Sequence, residues 1–182
     1  MNPMNPMRGP RVRLRDLTLA DADVVDEIGR RQKSDGGYND FGLEPQPVDR
    51  EALAKGPLRN AENGMLLVER IEDLAIIGTV GWHRLRYGPN PESDAWMLGI
   101  DLVPEARGRG FGTEAQRLLA DSLFATTQVN RVEASTDIEN VAEQRSLEKA
   151  GFTREGVVRG AQYRGGAHHD LVVYARLRDD PG

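Results

Sequence analysis

Six residues, Arg107-Gly108-Arg109-Gly110-Phe111-Gly112, hold the densest chemical signal in the chain. Glycines let a backbone turn tightly and come close to a ligand. Helical spacing follows the run, so the unpaired amides and the dipole of a helix start converge there and make an anion site. Arg107 and Arg109 add guanidinium groups suited to phosphate oxygens. Thr113 follows Gly112 directly and no lysine is near, which excludes a Walker A loop. A dinucleotide fingerprint needs G-x-G-x-x-G with an acid further on. The Gly108-x-Gly110-x-Gly112 spacing departs from it, although Glu133 stands near the position of such an acid. At this point a dinucleotide-binding protein and a ligand-free turn remain as alternatives.

Few other residue types could do chemistry. Cysteine is absent, which removes disulfides, thiolate metal sites and a cysteine nucleophile. The histidines are His83, His168 and His169. The last two are adjacent in an expected strand and point to opposite faces, so they make no shared metal site. No metal is expected. The chain of 182 residues carries a net charge of -5, with 38% hydrophobic and 29% charged residues. That composition suits one globular domain. An acidic balance disfavours a nucleic-acid binder. No apolar run is long enough for a membrane span, and the first residues lack the apolar core of a signal peptide. A cytoplasmic protein is the expectation. All but three of the 24 basic residues are arginine, a bias that genome composition explains without function.

The elements that must position these groups can be read from periodicity. Residues 1–10 repeat Met-Asn-Pro and are expected as a disordered tail, with a single domain over 11–178. Alternation predicts a strand over 11–15, and helical spacing predicts a helix over 19–33, with Thr18 and Asp21 as its start signal. Residues 34–48 are rich in Gly, Asp, Asn and Pro and form a loop bearing Tyr38 and Phe41, either functional or a tolerated insertion. A short helix follows within 49–60, broken near Gly56-Pro57. Strands are expected over 64–70, 74–86 and 95–103, then the glycine-rich run and a helix with Ala115, Leu118, Leu119 and Leu123 on one face. A strand over 129–136 leads to a helix over 140–150 that stops at Gly151. Strands over 153–158 and 170–177, joined by a connection over 160–166, complete the chain. The order β-α-α-β-β-β-α-β-α-β-β indicates an α+β, or mixed α/β, fold. Trp82 and Trp96 are expected in the core, and an exposed edge strand offers a way to pair two chains as a homodimer.

The run from Arg107 to Gly112 matches the (Gln/Arg)-x-x-Gly-x-(Gly/Ala) motif of the GNAT superfamily of acyl-CoA N-acyltransferases. Leu98-Gly99-Ile100-Asp101-Leu102-Val103-Pro104 resembles that family's central fourth strand. Arg131-Val132-Glu133-Ala134, Asn140, Leu147-Glu148-Lys149-Ala150-Gly151-Phe152 and Glu155-Gly156 resemble the segment after it, most of all in the branch of ribosomal-protein N-terminal acetyltransferases. The match is dense over 78–177. The first 70 residues, where relatives line much of the acceptor site, carry no comparably specific motif.

This resemblance implies a mostly antiparallel sheet of six to seven strands flanked by about four helices, with the fourth and fifth strands splayed. It implies an N-acetyltransferase that moves an acetyl or other acyl group from acyl-CoA to a primary amine by direct attack. A non-catalytic acyl-CoA-binding module is the alternative. The pyrophosphate of acetyl-CoA would lie on the amides of Arg107, Gly108, Arg109, Gly110, Phe111, Gly112 and Thr113. The pantetheine would pair with backbone of Leu102 and Val103 and reach Asn140, a residue that also serves well as a helix N-cap. Arg145 and Lys149, four apart on one helix face, are within conceivable reach of CoA phosphates but read better as solvated charge. The acceptor would be a small-molecule or peptide amine. Read from the residues alone, the acids of the 35–51 loop (Asp35, Asp40, Glu44, Asp49 and Glu51) either favour a cationic acceptor or are solvated loop charge.

Attack by an amine needs a neutral nitrogen, an oxyanion donor and a proton for the leaving thiolate. Many relatives place a tyrosine acid seven residues after the asparagine, where this chain has Leu147. Some ribosomal-type members place a serine three residues after it, where this chain has Glu143. The base candidates are Asp101, Glu143 and His83. Their bland readings are a polar strand-edge residue, an exposed helix surface and a structural histidine.

Overall fold

The computed structural model describes residues 7–34 and 37–180. Its eight strands are β1 (Met7–Arg8), β2 (Val12–Arg15), β3 (Asn63–Arg70), β4 (Ile76–Arg86), β5 (Asp94–Leu102), β6 (Arg131–Asp137), β7 (Thr153–Arg164) and β8 (Ala167–Leu177). The four α-helices are α1 (Ala22–Ser34), α2 (Arg50–Lys55), α3 (Phe111–Thr126) and α4 (Val141–Lys149). The strands form one sheet in the order β1-β2-β3-β4-β5-β6-β8-β7. Every neighbouring pair is antiparallel except β5 and β6, which α3 joins by a crossover.

Alternation along β3 assembles two cores. Leu66 and Val68 point to one face and join Val80, Trp82, Trp96 and Leu98 beneath Ala115, Leu119 and Leu123 of α3. Leu67 points to the other face and joins Ala22, Val25 and Leu53 of the first two helices. Both tryptophans are buried, as expected. The ends of α4 also follow local rules. Asn140 Oδ1 accepts the Glu143 amide at 3.3 Å, and Gly151 takes φ +91° beyond the last turn.

Two expectations about chain ends and turns fail. Met7 and Arg8, assigned to the tail, pair with Leu14 and Arg13 as an additional edge strand. Gly9 and Pro10 turn the chain back, with the Gly9 amide donating to Val12 O at 2.9 Å. Residues 1–6 of that expected tail lie outside the described residues. The connection expected over 160–166 is instead strand on both sides of a two-residue turn at Gly165 and Gly166, both at positive φ. A register shift between Val158 and Gln162 absorbs Gly160, so the glycines and polar residues there mark a bulge rather than a loop. β7 is exposed along most of its length and forms the sheet's edge.

The counterparts of the expected fourth and fifth strands are β5 and β6. Their ladder runs from Trp96↔Val132 to Leu98↔Ala134, while β5 continues to Leu102 and β6 to Asp137. On its other side β5 is paired to β4 along its whole length, from Arg86↔Asp94 to Gly78↔Leu102. At the last rungs a Cβ on Gly78 would fall far inside the van der Waals contact distance to the Asp101 carbonyl oxygen. Gly78→Ala therefore forces these two strands apart. The expected outcome is a loss of about 3 kcal/mol in urea unfolding.

Candidate active site

The glycine-rich loop is shaped from behind by Arg11, a residue about a hundred positions earlier in the chain. Glu114, buried in the first turn of α3, accepts the backbone amides of Arg11 and Val12 at 2.8 and 3.0 Å and the Arg11 Nε at 3.0 Å. The same guanidinium donates to the carbonyls of Arg109 (2.9 Å) and Gly110 (3.1 Å). Gly108 and Gly110 both adopt positive φ, +68° and +80°. The first helical bond is Glu114 N–H to Gly110 O, so the amides of Phe111, Gly112 and Thr113 end the helix unpaired within it. With the carbonyls held on Arg11, the loop has the polarity of an anion site. The Arg109 guanidinium lies 5.3 Å from the centre of the Phe111 ring and that of Arg11 5.6 Å. Arg11 gave no sequence signal, because its partners are set by packing.

Gly112 packs where α3, β5 and α4 meet. A Cβ there would lie 3.4 Å from Leu102, 3.6 Å from Ile100 and 3.7 Å from Ser146 Oγ. Arg107 turns toward β5, its Nε donating to Leu102 O at 2.9 Å. The Val103 amide donates to Ile77 O at 3.0 Å. Asn140 caps α4 and also donates from Nδ2 to Thr136 Oγ1 at 3.0 Å.

Of the three base candidates, the structure brings two together. Asp101 and Glu143 are both half-buried, and the charge of Asp101 acts on Glu143. Burial raises Asp101 above the ordinary aspartate range, and the nearby Arg107 charge opposes that rise. Glu143 has the amide of Gln116 rather than a cation against it. Burial, with the like charge of Asp101 adding to it, pushes its carboxyl up to about 7. The reading of Glu143 as exposed helix surface is thus corrected: it lies against α3. Gln116 itself is fully buried, accepts Ser146 Oγ at 3.0 Å and donates to Glu143 Oε1. Neither Gln116 nor Ser146 was singled out by sequence, since neither belongs to a motif.

His83 stands apart. It pairs with Met97, whereas Asp101 pairs with Thr79 four residues further along the same two strands. At a rise of ~3.3 Å per residue the two lie roughly 13 Å apart on one face. Between them is the Gly81↔Gly99 rung, where a Cβ on Gly99 would meet nothing within 4 Å. The strip from exposed His83 to Asp101 is thus open at Gly99 on β5, whereas on β4 a Cβ at Gly81 would lie 3.3 Å from Gly64 O. The loop over 37–48 borders its inner end. Asn39 Nδ2 donates to Asp101 Oδ1 at 3.2 Å, Tyr38 OH donates to Glu139 O at 3.1 Å, and Arg164 Nη1 donates to Gly37 O at 2.8 Å. Of the loop acids, Asp49 is the N-cap of α2 and Asp40 accepts the Gly42 amide at 2.9 Å, while Asp35 lies outside the described residues. Among the described residues, no group of three or more His, Cys, Asp or Glu could hold a metal ion. No described helix is long and apolar enough to cross a membrane.

The proton on Glu143 has a consequence for stability. The folded carboxyl, at about 7, holds its proton where the unfolded one, at 4.5, has lost it. Stability from this group is therefore full below about 4.5, declines as pH rises toward 7, and is level above. Glu143→Gln removes that decline. Urea unfolding should show the variant gaining on the parent by up to about 3 kcal/mol between pH 4.5 and 8.

Comparison with known proteins adds the lineage. Residues 11–153 match the model of a family described as acetyltransferase (GNAT) domain. A Bacillus subtilis protein named an uncharacterized N-acetyltransferase, YoaA, is 27% identical over 179 residues, covering 92% of this chain and 94% of that protein. Two solved structures share the fold. The ribosomal L7/L12 alpha-N-protein acetyltransferase RimL in complex with coenzyme A has a TM-score of 0.79, at 17% identity, covering 97% of this chain and 100% of that one. The ribosomal-protein-S5-alanine acetyltransferase of Vibrio fischeri has a TM-score of 0.77, at 20% identity, covering 97% and 98%.

Proposed function

The chain belongs to the GNAT family of acyl-CoA-dependent N-acetyltransferases, and from that premise we propose that it acetylates a peptide N-terminus with Asp101 as base and Glu143 as acid. The observation that carries this reading is the pair of carboxyls with unequal environments. Two titratable groups whose surroundings push them apart take opposite roles. Asp101 has Arg107 near it and faces the strip, so it is the ionised member. Glu143 has no such cation, sits on the helix capped by Asn140, and packs against the helix that starts at the phosphate loop.

Acetyl-CoA would be held by the amides of 108–113 and by backbone of Leu102 and Val103. The Val103 amide is bonded to Ile77 O and the Val103 carbonyl accepts the Ala106 amide at 2.9 Å, so a ligand N–H at Val103 would share that carbonyl through its second lone pair. The amine nitrogen attacks the thioester carbonyl carbon, a C–N bond forms and the C–S bond breaks. Asp101 takes a proton from the nitrogen, which becomes strongly acidic as it bonds to carbon. Glu143 gives its proton to the departing thiolate, whose pKa near ~8.5 makes that transfer downhill. Much of the rate comes from holding the two reactants in line. An α-amino group, with a pKa of about 8, is neutral more often at pH 7 than a lysine side chain. The strip, open at Gly99, suits an extended peptide behind that amine, and the names of the structural neighbours agree with it.

Thiol release measured with acetyl-CoA against N-terminal peptides, polyamines and amino sugars tests the assignment. Turnover with peptides at a kcat/KM at least tenfold above the other amines is expected. Preference for small amines overturns the acceptor. Acetyl-CoA binding with no thiol release from any amine favours a non-catalytic acyl-CoA-binding module.

A further inference from the structure

The polar groups between α3 and α4 form a chain with one direction. Gln116 is fully buried, so both ends of its amide must be satisfied. Its oxygen accepts from Ser146 Oγ at 3.0 Å and its nitrogen donates to Glu143 Oε1. Ser146 has one hydroxyl proton, and Gln116 takes it. In the 3.0 Å contact between Ser146 Oγ and Thr113 Oγ1, Thr113 is therefore the donor. Proton donation thus runs from Thr113 to Ser146, to Gln116, to Glu143. Thr113 lies in the first turn of α3, directly after the glycine-rich run, and Glu143 is the acid of the reading above.

We propose that Gln116 is a positioning residue that keeps Glu143 Oε1 as an acceptor, so that the transferable proton of Glu143 resides on Oε2, and that Ser146 and Thr113 lock Gln116 in that orientation. The inference rests on the role proposed for Glu143. A carboxyl that rotates freely presents either oxygen, with or without its proton. One whose Oε1 is held by an amide donor presents the other. The same donation favours the ionised form of Glu143 and so limits how far burial raises it. The arrangement keeps the acid able to give its proton up. Thr113 spends its hydroxyl proton on Ser146, so it serves an anion through its amide alone.

The groups around Glu143 are few. From β5 comes Asp101, offset by Arg107 of the loop, and from α3 comes Gln116. On α4 itself Asn140 bonds the Glu143 amide.

The test is a carboxyl 13C titration of Glu143 in the unliganded protein, identified by the signal lost in Glu143→Gln, together with kcat against pH. In Gln116→Leu the Glu143 midpoint should rise by about one pH unit. The alkaline limb of kcat should move up with it, while acetyl-CoA affinity stays within twofold. Ser146→Ala, which leaves Gln116 in place but unlocked, should shift the midpoint the same way by a smaller amount. It also serves if Gln116→Leu does not fold. An unshifted midpoint in both variants, or in Ser146→Ala alone where Gln116→Leu does not fold, overturns the proposal; so does a rate loss uniform across pH. A different result marks failure of the underlying reading: Glu143→Gln then keeps the parent's rate and alkaline limb, while the carboxyl titration still reports on Gln116.

Discussion

Asp101→Asn lowers kcat/KM for the amine by on the order of 100-fold, almost all of it in kcat, and leaves acetyl-CoA affinity unchanged. Asparagine keeps the size of the side chain and an oxygen for Asn39 Nδ2, which donates to Asp101 Oδ1 at 3.2 Å. It cannot take a proton. The acid limb of the pH profile, which reports the Asp101 carboxylate forming, should vanish. Part of the loss should return at high pH, where neutral amine is plentiful and hydroxide and buffer accept the proton. Burial raises this carboxyl, and Arg107 keeps that rise in check. The variant also leaves Glu143 without a like charge, so the Glu143 carboxyl should titrate lower than in the parent. A rate equal to the parent's across pH would remove Asp101 from the chemistry and leave it as a polar residue on β5.

Gly110→Val weakens acetyl-CoA binding by on the order of 100-fold, which is about 2.7 kcal/mol. Two features converge at this position. Its φ of +80° is a conformation that a β-branched residue rarely adopts. A Cβ there would also lie 3.0 Å from Arg11 Nη2 and 3.2 Å from Nη1, the groups that hold the loop carbonyls. Relief of either strain moves the carbonyls off Arg11 and with them the amides on the opposite side. Calorimetry with acetyl-CoA measures the loss. Unfolding of the unliganded variant by urea checks that the protein remains folded, since strain at one loop residue costs only ~1–3 kcal/mol. Parent-like affinity in a folded Gly110→Val protein would show that phosphate is not held on this turn.

The parts of the site that were legible in sequence share a property: their physics is local. The Arg107–Gly112 run states its own backbone requirement, and Gly108 and Gly110 do take positive φ. Asn140 caps the helix that begins beside it. Alternation along residues 63–70 separates two cores because a strand has a period of two. The short helix ending at Gly56 and the helix ending before Gly151 follow from the same short-range rules. The family resemblance was strongest over these same stretches, where motif residues lie close together.

What the tertiary structure decided involves residues far apart in the chain. Met7 and Arg8 become a strand only because β2 offers an edge, and a two-residue segment carries no periodicity to announce it. The hairpin of β7 and β8 runs through glycines that read as a loop, since the bulge that absorbs them exists only once both strands are paired. Arg11 becomes the clamp of a loop about a hundred residues away through Glu114. Glu143 reads as a solvated helix residue from its neighbours in sequence. It becomes an acid near pH 7 because α3 brings Gln116 against it and β5 brings the charge of Asp101. Residue types and local spacing thus determined most of the elements, the glycine-rich loop and the family of this protein. The raised carboxyls of Asp101 and Glu143 were decided by packing, because burial and Coulomb fields depend on distance in space and not on distance along the chain.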